Sequence, residues 1–357
     1  MAIDLLIRNV AVIDGSGAPA YAANVGVSGD RIASVGKGEP SATRELDGTG
    51  LTLAPGFVDV HSHDDTAFIR HPGMEFKLSQ GVTSEISGNC GMSAAPFDPS
   101  VPRRAGDLVP GSADWTDLEG FFRVCEARRP AINNAMLVGH NSVRHLVAPN
   151  ERRRATPDEV RRMRGLVRQS MEQGAVGFST GLIYEPGRYS DTDEVVALAA
   201  ECTSFGGVYA THMRNEGDGL LDAAREAMEI ARRADIPLHI SHHKAAGKAN
   251  WGKVAESLAA IDAANAIGAD ITLDVYPYTA GSGPMNQYVD LANINVEWAA
   301  NVLIATCPDF REFEGRMIPA IAEEQGWSIE EAVRQVLTGP HGKETLCIHF
   351  IIDEKDI

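Results

Sequence analysis

Pro55-Gly56-Phe57-Val58-Asp59-Val60-His61-Ser62-His63-Asp64-Asp65 ends an apolar stretch with two imidazoles two residues apart. Along a strand, side chains i and i+2 share a face, so His61 and His63 can reach one ion. Neutral imidazole is the commonest metal ligand and suits zinc, which makes His-x-His at the C-terminal end of a strand a candidate metal site. Taken alone, the pair reads equally well as two solvated loop histidines. Later strand-like segments change the balance. Val82 to Gly91 carries Cys90 near its end, Gly206 to His212 closes on an imidazole, and Ile236 to Lys244 closes on His242-His243-Lys244. Each is built from apolar or β-branched residues. Ligands delivered one strand at a time, always from the same end, are what a barrel of parallel strands supplies.

With 357 residues, 44% of them hydrophobic and 23% charged, the chain can bury a full core, and one large domain plus a small one is expected. No apolar run approaches the roughly 20 residues that span a bilayer, and no basic region precedes an apolar one at the N-terminus, so a soluble protein without a secretion signal is expected. A net charge of −17 argues against nucleic acid or an anionic membrane as partner. Five irregularly spaced cysteines do not form a disulfide framework and suit a reducing cytoplasmic setting. Cys125, Cys202, Cys307 and Cys347 read as small buried hydrophobes.

Residues 1–54 form short β-like runs (Asp4 to Val12, Ala23 to Val27, Arg31 to Val35, Arg44 to Leu53) broken by turn signals such as Asp14-Gly15 and Gly29-Asp30, a small β-rich domain. From residue 55 to 357 the pattern becomes strand then helix, with strands near 55–62, 82–88, 132–139, 175–181, 206–212, 236–242 and 270–276. Thr156-Pro157-Asp158-Glu159 is a capping box with proline at the first helical position, and its helix runs to Gly174. Asp193 to Phe205 and Gly219 to Ala234 are further amphipathic helices. Seven such units with ligands at one end predict a (β/α)8 barrel, an open doubly wound sheet being the alternative. Residues 285–345 interrupt the rhythm as an insertion, with helices predicted at Val296 to Ala305, Arg311 to Gln325 and Ser328 to Leu337.

These residues carry a family resemblance. The β unit leading into Pro55 to His63 resembles the amidohydrolase superfamily. Within it the chain resembles the D-aminoacylase (N-acyl-D-amino-acid deacylase) family through Ser79-Gln80-Gly81-Val82-Thr83, Gly88-Asn89-Cys90-Gly91, Gly177 to Tyr184, Thr211-His212-Met213-Arg214, Ile240 to Lys244 and Tyr276-Pro277-Tyr278. The resemblance implies a zinc-dependent hydrolase of N-acyl-D-amino acids: His61 and His63 line one metal site, His212 and His242 the other, and Cys90 bridges them as a thiolate. Many amidohydrolases bridge with a carboxylated lysine from the fourth strand. Ala175 to Tyr184 holds no lysine, which disfavours a hydantoinase- or dihydroorotase-like site, whereas a metal-deprotonated thiolate suits zinc. His243 points away from His242 on a strand and reads as packing or support.

A zinc ion would lower the pKa of a bound water toward ~7 and polarise an amide carbonyl. Lys244 and Arg214 are candidates to hold the substrate's α-carboxylate, each with a plain surface-charge alternative. Tyr184 is a candidate donor to the carbonyl oxygen, with packing as its alternative, and Ser282 is a further substrate-contact candidate. The family's general base is an aspartate at the end of the eighth strand. Ile351 to Ile357 resembles the stretch just before that strand, so the strand and its aspartate are expected beyond Ile357, and a 357-residue form is expected to be nearly inactive. Asp353 and Asp356 read as a helix-start cluster rather than substitutes, and Asp274 is a conceivable stand-in. Three functional readings follow: a D-aminoacylase, a non-catalytic metal-binding remnant, or another amidohydrolase acting on cyclic amides or dipeptides. The oligomeric state is not legible.

Overall fold

The computed structural model describes residues 2–101, 114–149 and 151–357. They divide into two compact units, one of Met1–Val58 with Ser79–Thr83 and the other of Asp59–Leu78 with Ser84–Ile357. In the first, strands β1 (Ile3–Val12), β2 (Tyr21–Ser28), β3 (Arg31–Gly36) and β4 (Ala42–Asp47) lie in the order β3-β2-β1-β4, and β5 (Thr52–Leu53) pairs with β1. Period-two alternation gathers Val10, Val12, Ala23 and Val25 into its small core. The run predicted from Arg44 to Leu53 is therefore two strands. Asp47 Oδ1 accepts from the backbone N–H of Thr49 at 3.1 Å and Gly50 takes φ +79°, a turn that only a flexible residue closes cheaply.

The second architecture is a seven-stranded sheet built from β6 (Phe57–Asp59), β7 (Val82–Ser87), β8 (Asn133–Gly139), β9 (Gly177–Gly181), β10 (Val208–His212), β11 (Leu238–Ile240) and β12 (Ile271–Leu273), each beside its sequence neighbour. The pairs from β7 to β12 are parallel. Helices fill the connections, as parallel strands require. The helix Pro157–Glu172 opens on the expected capping box: Thr156 accepts from Glu159 N–H, and Glu159 accepts from Thr156 N–H. Phe178 and Tyr209 stack on one face of β9 and β10 and join Leu198, Leu220 and Ile230 in the main core. Alternation turns Ser179 and His212 to the other face.

Beyond β12 the sequence builds a lobe with its own core around Met285, Ile304, Phe313, Ile321, Val333 and Cys347. Its sheet, β13 (Gly281–Pro284), β14 (Val302–Thr306) and β15 (Leu346–His349), is antiparallel in the order β13-β15-β14. Two sequence readings are corrected here. Val296 to Ala305 is a single helical turn, Val296–Ala299, followed by β14, because Val302-Leu303-Ile304 packs as a strand against β15. Arg311 to Gln325 is broken: Gly315 at φ +78° separates a 3-10 turn from the helix Ile318–Gln325. The helix Ile329–Thr338 falls within one residue of expectation, with Ser328 as its cap.

His349 is buried in this lobe, where its Nδ1 accepts from Trp298 Nε1–H at 3.2 Å and its ring lies 4.5 Å from that of Tyr288. Burial and the nearby Lys244 ammonium push its pKa down to about 4. The unfolded chain thus takes up the proton first, near 6.5, so this contribution is complete above pH 6.5 and is lost as pH falls toward 4. Urea unfolding followed by tryptophan fluorescence should show His349→Gln losing less stability than the parent between pH 7.5 and 4.5, by about 2 kcal/mol. Parallel losses in the two proteins would contradict this.

Candidate metal centre

Cys90 arrives on a loop that the chain builds with three left-handed residues in four: Gly88 (φ +77°), Cys90 (φ +54°) and Gly91 (φ +76°). A β-carbon on Gly181, at the end of β9, would lie 2.2 Å from the Cys90 carbonyl oxygen, so only glycine lets the loop lie against that strand. Ser179 clamps the loop from the sheet, donating to Gly88 O at 2.5 Å and accepting from Gly91 N–H at 3.0 Å. Buried Asp65 accepts from Gly88 and Ala94 N–H groups at 3.3 and 3.0 Å. Desolvation raises its pKa to about 6 against the pull of His63 and these bonds. A cysteine at positive φ is an outlier that the surrounding bonds over-determine, as at many functional sites. His242 is a second, at φ +36°.

The five sequence-predicted ligands come together. His61, His63 and Cys90 form one group and Cys90, His212 and His242 another, the candidate ligand atoms within each lying no more than 4.8 Å apart. Cys90 Sγ lies 3.4 Å from both His61 Nε2 and His242 Nε2. Sulfur and nitrogen ligands ~2.3 and ~2.1 Å from a tetrahedral zinc stand roughly 3.5 Å apart, so this spacing fits the ion. Neither ring nitrogen of buried His212 has a hydrogen-bond partner among the described residues, which a ligand nitrogen explains and packing alone does not. Burial pushes the Cys90 thiol up, but His242, His61 and His63 outweigh it and hold the group well below the usual thiol range.

Carboxylates back the imidazoles. Asp274, just past β12, accepts from His61 Nδ1 at 3.1 Å, from His239 Nε2 at 2.8 Å and from the His242 N–H at 2.7 Å. The His61 contact ties the C-terminal ends of the two edge strands together. Its oxygens are thus engaged, and these partners hold its pKa far below the usual carboxylate range against desolvation, so Asp274 backs His61 and His242. Glu216, which sequence reasoning missed, is part-buried, 3.0 Å from His242 Nδ1, 2.6 Å from Lys244 Nζ and 3.5 Å from His212 Nε2. Its only signal in the chain is its place four residues after His212.

Lys244 stands 2.8 Å from His242 Nδ1 and under the ring of Tyr276. Arg214 is instead engaged by Glu226 through Nε and Nη2 at 2.8 and 3.0 Å, with Nη1 donating to Arg188 O. Of the two candidate cations, Lys244 is therefore the one in contact with the imidazole cluster. The Tyr184 ring packs edge-on against His212 at 4.7 Å. Its hydroxyl bonds that of Tyr288, a lobe residue also missed from sequence, and burial keeps it protonated. Ser282 lies exposed on β13 opposite Ile348. His243 turns away and hydrogen-bonds Ser257 at 2.7 Å. Asp353 caps a terminal 3-10 turn and Asp356 accepts from Gly252 N–H, both away from the imidazoles.

A parallel β/α sheet whose strand ends converge four imidazoles and a thiolate defines a metal-dependent hydrolase. The amidohydrolase family model matches residues 44–329. The D-aminoacylase of Alcaligenes xylosoxydans xylosoxydans is 39% identical over 357 residues, which is 99% of this chain and 71% of that protein. A D-aminoacylase structure solved to define the functional role of its binuclear metal centre is 39% identical with a TM-score of 0.88, covering 99% of this chain and 73% of its own. The N-acyl-D-glutamate deacylase from Bordetella bronchiseptica, complexed with zinc and a phosphonate mimic of the tetrahedral intermediate, is 34% identical with a TM-score of 0.91, covering 100% and 73%. This chain belongs to the amidohydrolase family, among its D-aminoacylase relatives.

Ser179→Ala should leave the buried Gly91 N–H unpaired and cost about 1–3 kcal/mol. Chemical denaturation gives the loss, and the Cys90 thiol should react faster with a disulfide reagent in metal-free protein. Unaltered thiol reactivity would show that the clamp does not hold the loop.

Proposed function

We propose that this protein hydrolyses the amide bond of N-acyl-D-amino acids, releasing a carboxylate and a free D-amino acid. Zinc is bound most tightly by Cys90, His212 and His242, with a weaker second site at His61 and His63 sharing the thiolate. The observation that carries this reading is the 3.4 Å spacing of Cys90 Sγ from two imidazoles, with the Lys244 ammonium 2.8 Å behind one of them. Relatives that act on N-acyl-D-amino acids support the substrate class. No helix among the described residues is long and apolar enough to cross a membrane, and five free cysteines suit a cytoplasmic enzyme.

When bound, zinc supplies a low-pKa water and polarises the acyl carbonyl. Lys244 pairs with the substrate's α-carboxylate, which fixes the amide over the cluster. The protonated Tyr184 hydroxyl donates to the carbonyl oxygen as charge builds there. Water adds its hydroxyl to the acyl carbon, the C–N bond breaks as one water proton goes to the leaving nitrogen, and the carboxylic acid formed gives up its remaining proton to become the carboxylate. Asp274 and Glu216 keep the imidazoles aimed throughout.

Metal analysis should find at least one zinc in the parent and none retained by Cys90→Ala after dialysis; equal stoichiometry would remove Cys90 from the site. Stereochemistry is tested by isothermal titration calorimetry with the two enantiomers of a phosphonate analogue of N-acetylmethionine, alongside amino-acid release from N-acetyl-D- and N-acetyl-L-methionine. The D-enantiomer should bind at least about tenfold more tightly, about 1.4 kcal/mol. Equal affinities, or turnover of cyclic imides alone, would overturn the proposal.

A further inference from the structure

Glu216 sits behind the centre with its two oxygens facing two imidazoles and Lys244. Oε1 lies 3.0 Å from His242 Nδ1, and Oε2 lies 3.5 Å from His212 Nε2. His242 is held from its δ side, leaving Nε2 aimed at Cys90 Sγ at 3.4 Å. The approach to His212 is not a hydrogen bond, so the backing falls on His242. Neutral imidazole carries its single proton on one nitrogen, and the hydrogen bond made by that nitrogen decides which one remains a ligand.

Lys244 makes this carboxylate necessary. Its Nζ lies 2.8 Å from His242 Nδ1, and an ammonium offers only donors. With His242 bound to metal through Nε2, Nδ1 carries the proton, so two donors face each other at that distance. Glu216 Oε1 accepts from both, at 2.6 Å from Lys244 Nζ and 3.0 Å from His242 Nδ1. The carboxylate lies on the loop following β10, four residues after His212, so one short stretch of chain supplies both a candidate ligand and the group that backs His242.

We infer that Glu216 is a positioning residue that holds the His242 proton on Nδ1, while keeping Lys244 from turning that ring away. The inference rests on the zinc assignment above. Zinc affinity is therefore measured first in the parent by competition with a chromogenic chelator: absence of zinc binding there defeats the assignment itself. Given a zinc-binding parent, Glu216→Gln, which keeps the shape but replaces one acceptor by a donor, should lose about 10–100-fold in zinc affinity. Its circular dichroism should stay that of the parent. Affinity within twofold of the parent would overturn the inference.

Should the variant not fold, the parent decides alone. Long-range proton–nitrogen correlation spectra of zinc-loaded protein with 15N-labelled histidine should show His242 protonated at Nδ1. A His242 proton on Nε2 would overturn the inference.

Discussion

A thiolate set among imidazoles, away from water, is the interaction on which the centre depends. Placing a lone anion there would be far too costly to survive, and the imidazoles packed around the sulfur offset that cost. His61 and His242 approach Cys90 Sγ symmetrically, and the remaining imidazoles close the set. The backbone is bent to deliver that sulfur, through left-handed residues that Ser179 and Asp65 hold in place. The glycines at the ends of neighbouring strands, the clamp and the buried acid follow from one requirement: a sulfur near the axis of the sheet, where no strand ends by itself.

Around this group the ordering propagates outward in layers. Asp274 and Glu216 set the imidazoles, and Glu216 also governs Lys244, so the cation proposed to meet the substrate and the ligands proposed to meet the metal answer to one carboxylate. Tyr184 joins the layer from the strand side and Tyr288 from the lobe. The lobe thereby reaches the chemistry through this hydroxyl pair, with His349 and Trp298 packed behind Tyr288.

Legibility in the sequence followed the range of the forces involved. The ligands could be read because they lie at or just past the ends of four strands, His61 and His63 after the same one, and strand ends are marked by local pattern. The capping box at Thr156 was equally local. Glu216, Ser179 and Tyr288 were not readable: each acts on a partner brought close only by folding, as Ser179 acts on Gly88, 91 residues away along the chain. The same limit explains β14, since Val302 to Thr306 looks helical until β15, more than forty residues later, offers an edge to pair with. Asp274 could be seen as an acid near the site, but its role as an orienter depends on three contacts that no spacing announces.

The lobe beyond β12 has a neck: Ile352 N–H, on the chain leaving it, donates to Thr279 O, on the chain entering it, at 3.1 Å. Closing a loop costs entropy that grows with the length of flexible chain between its ends. Once the lobe has condensed around its own core, which shares no residue with the main one, its two ends are already adjacent. The sheet then experiences the whole excursion as little more than a tight turn. Such a module can lengthen, shorten or change its lining at slight cost to the scaffold beneath it. Changes to the lobe's lining are thus expected to leave the thiolate and its imidazoles in place.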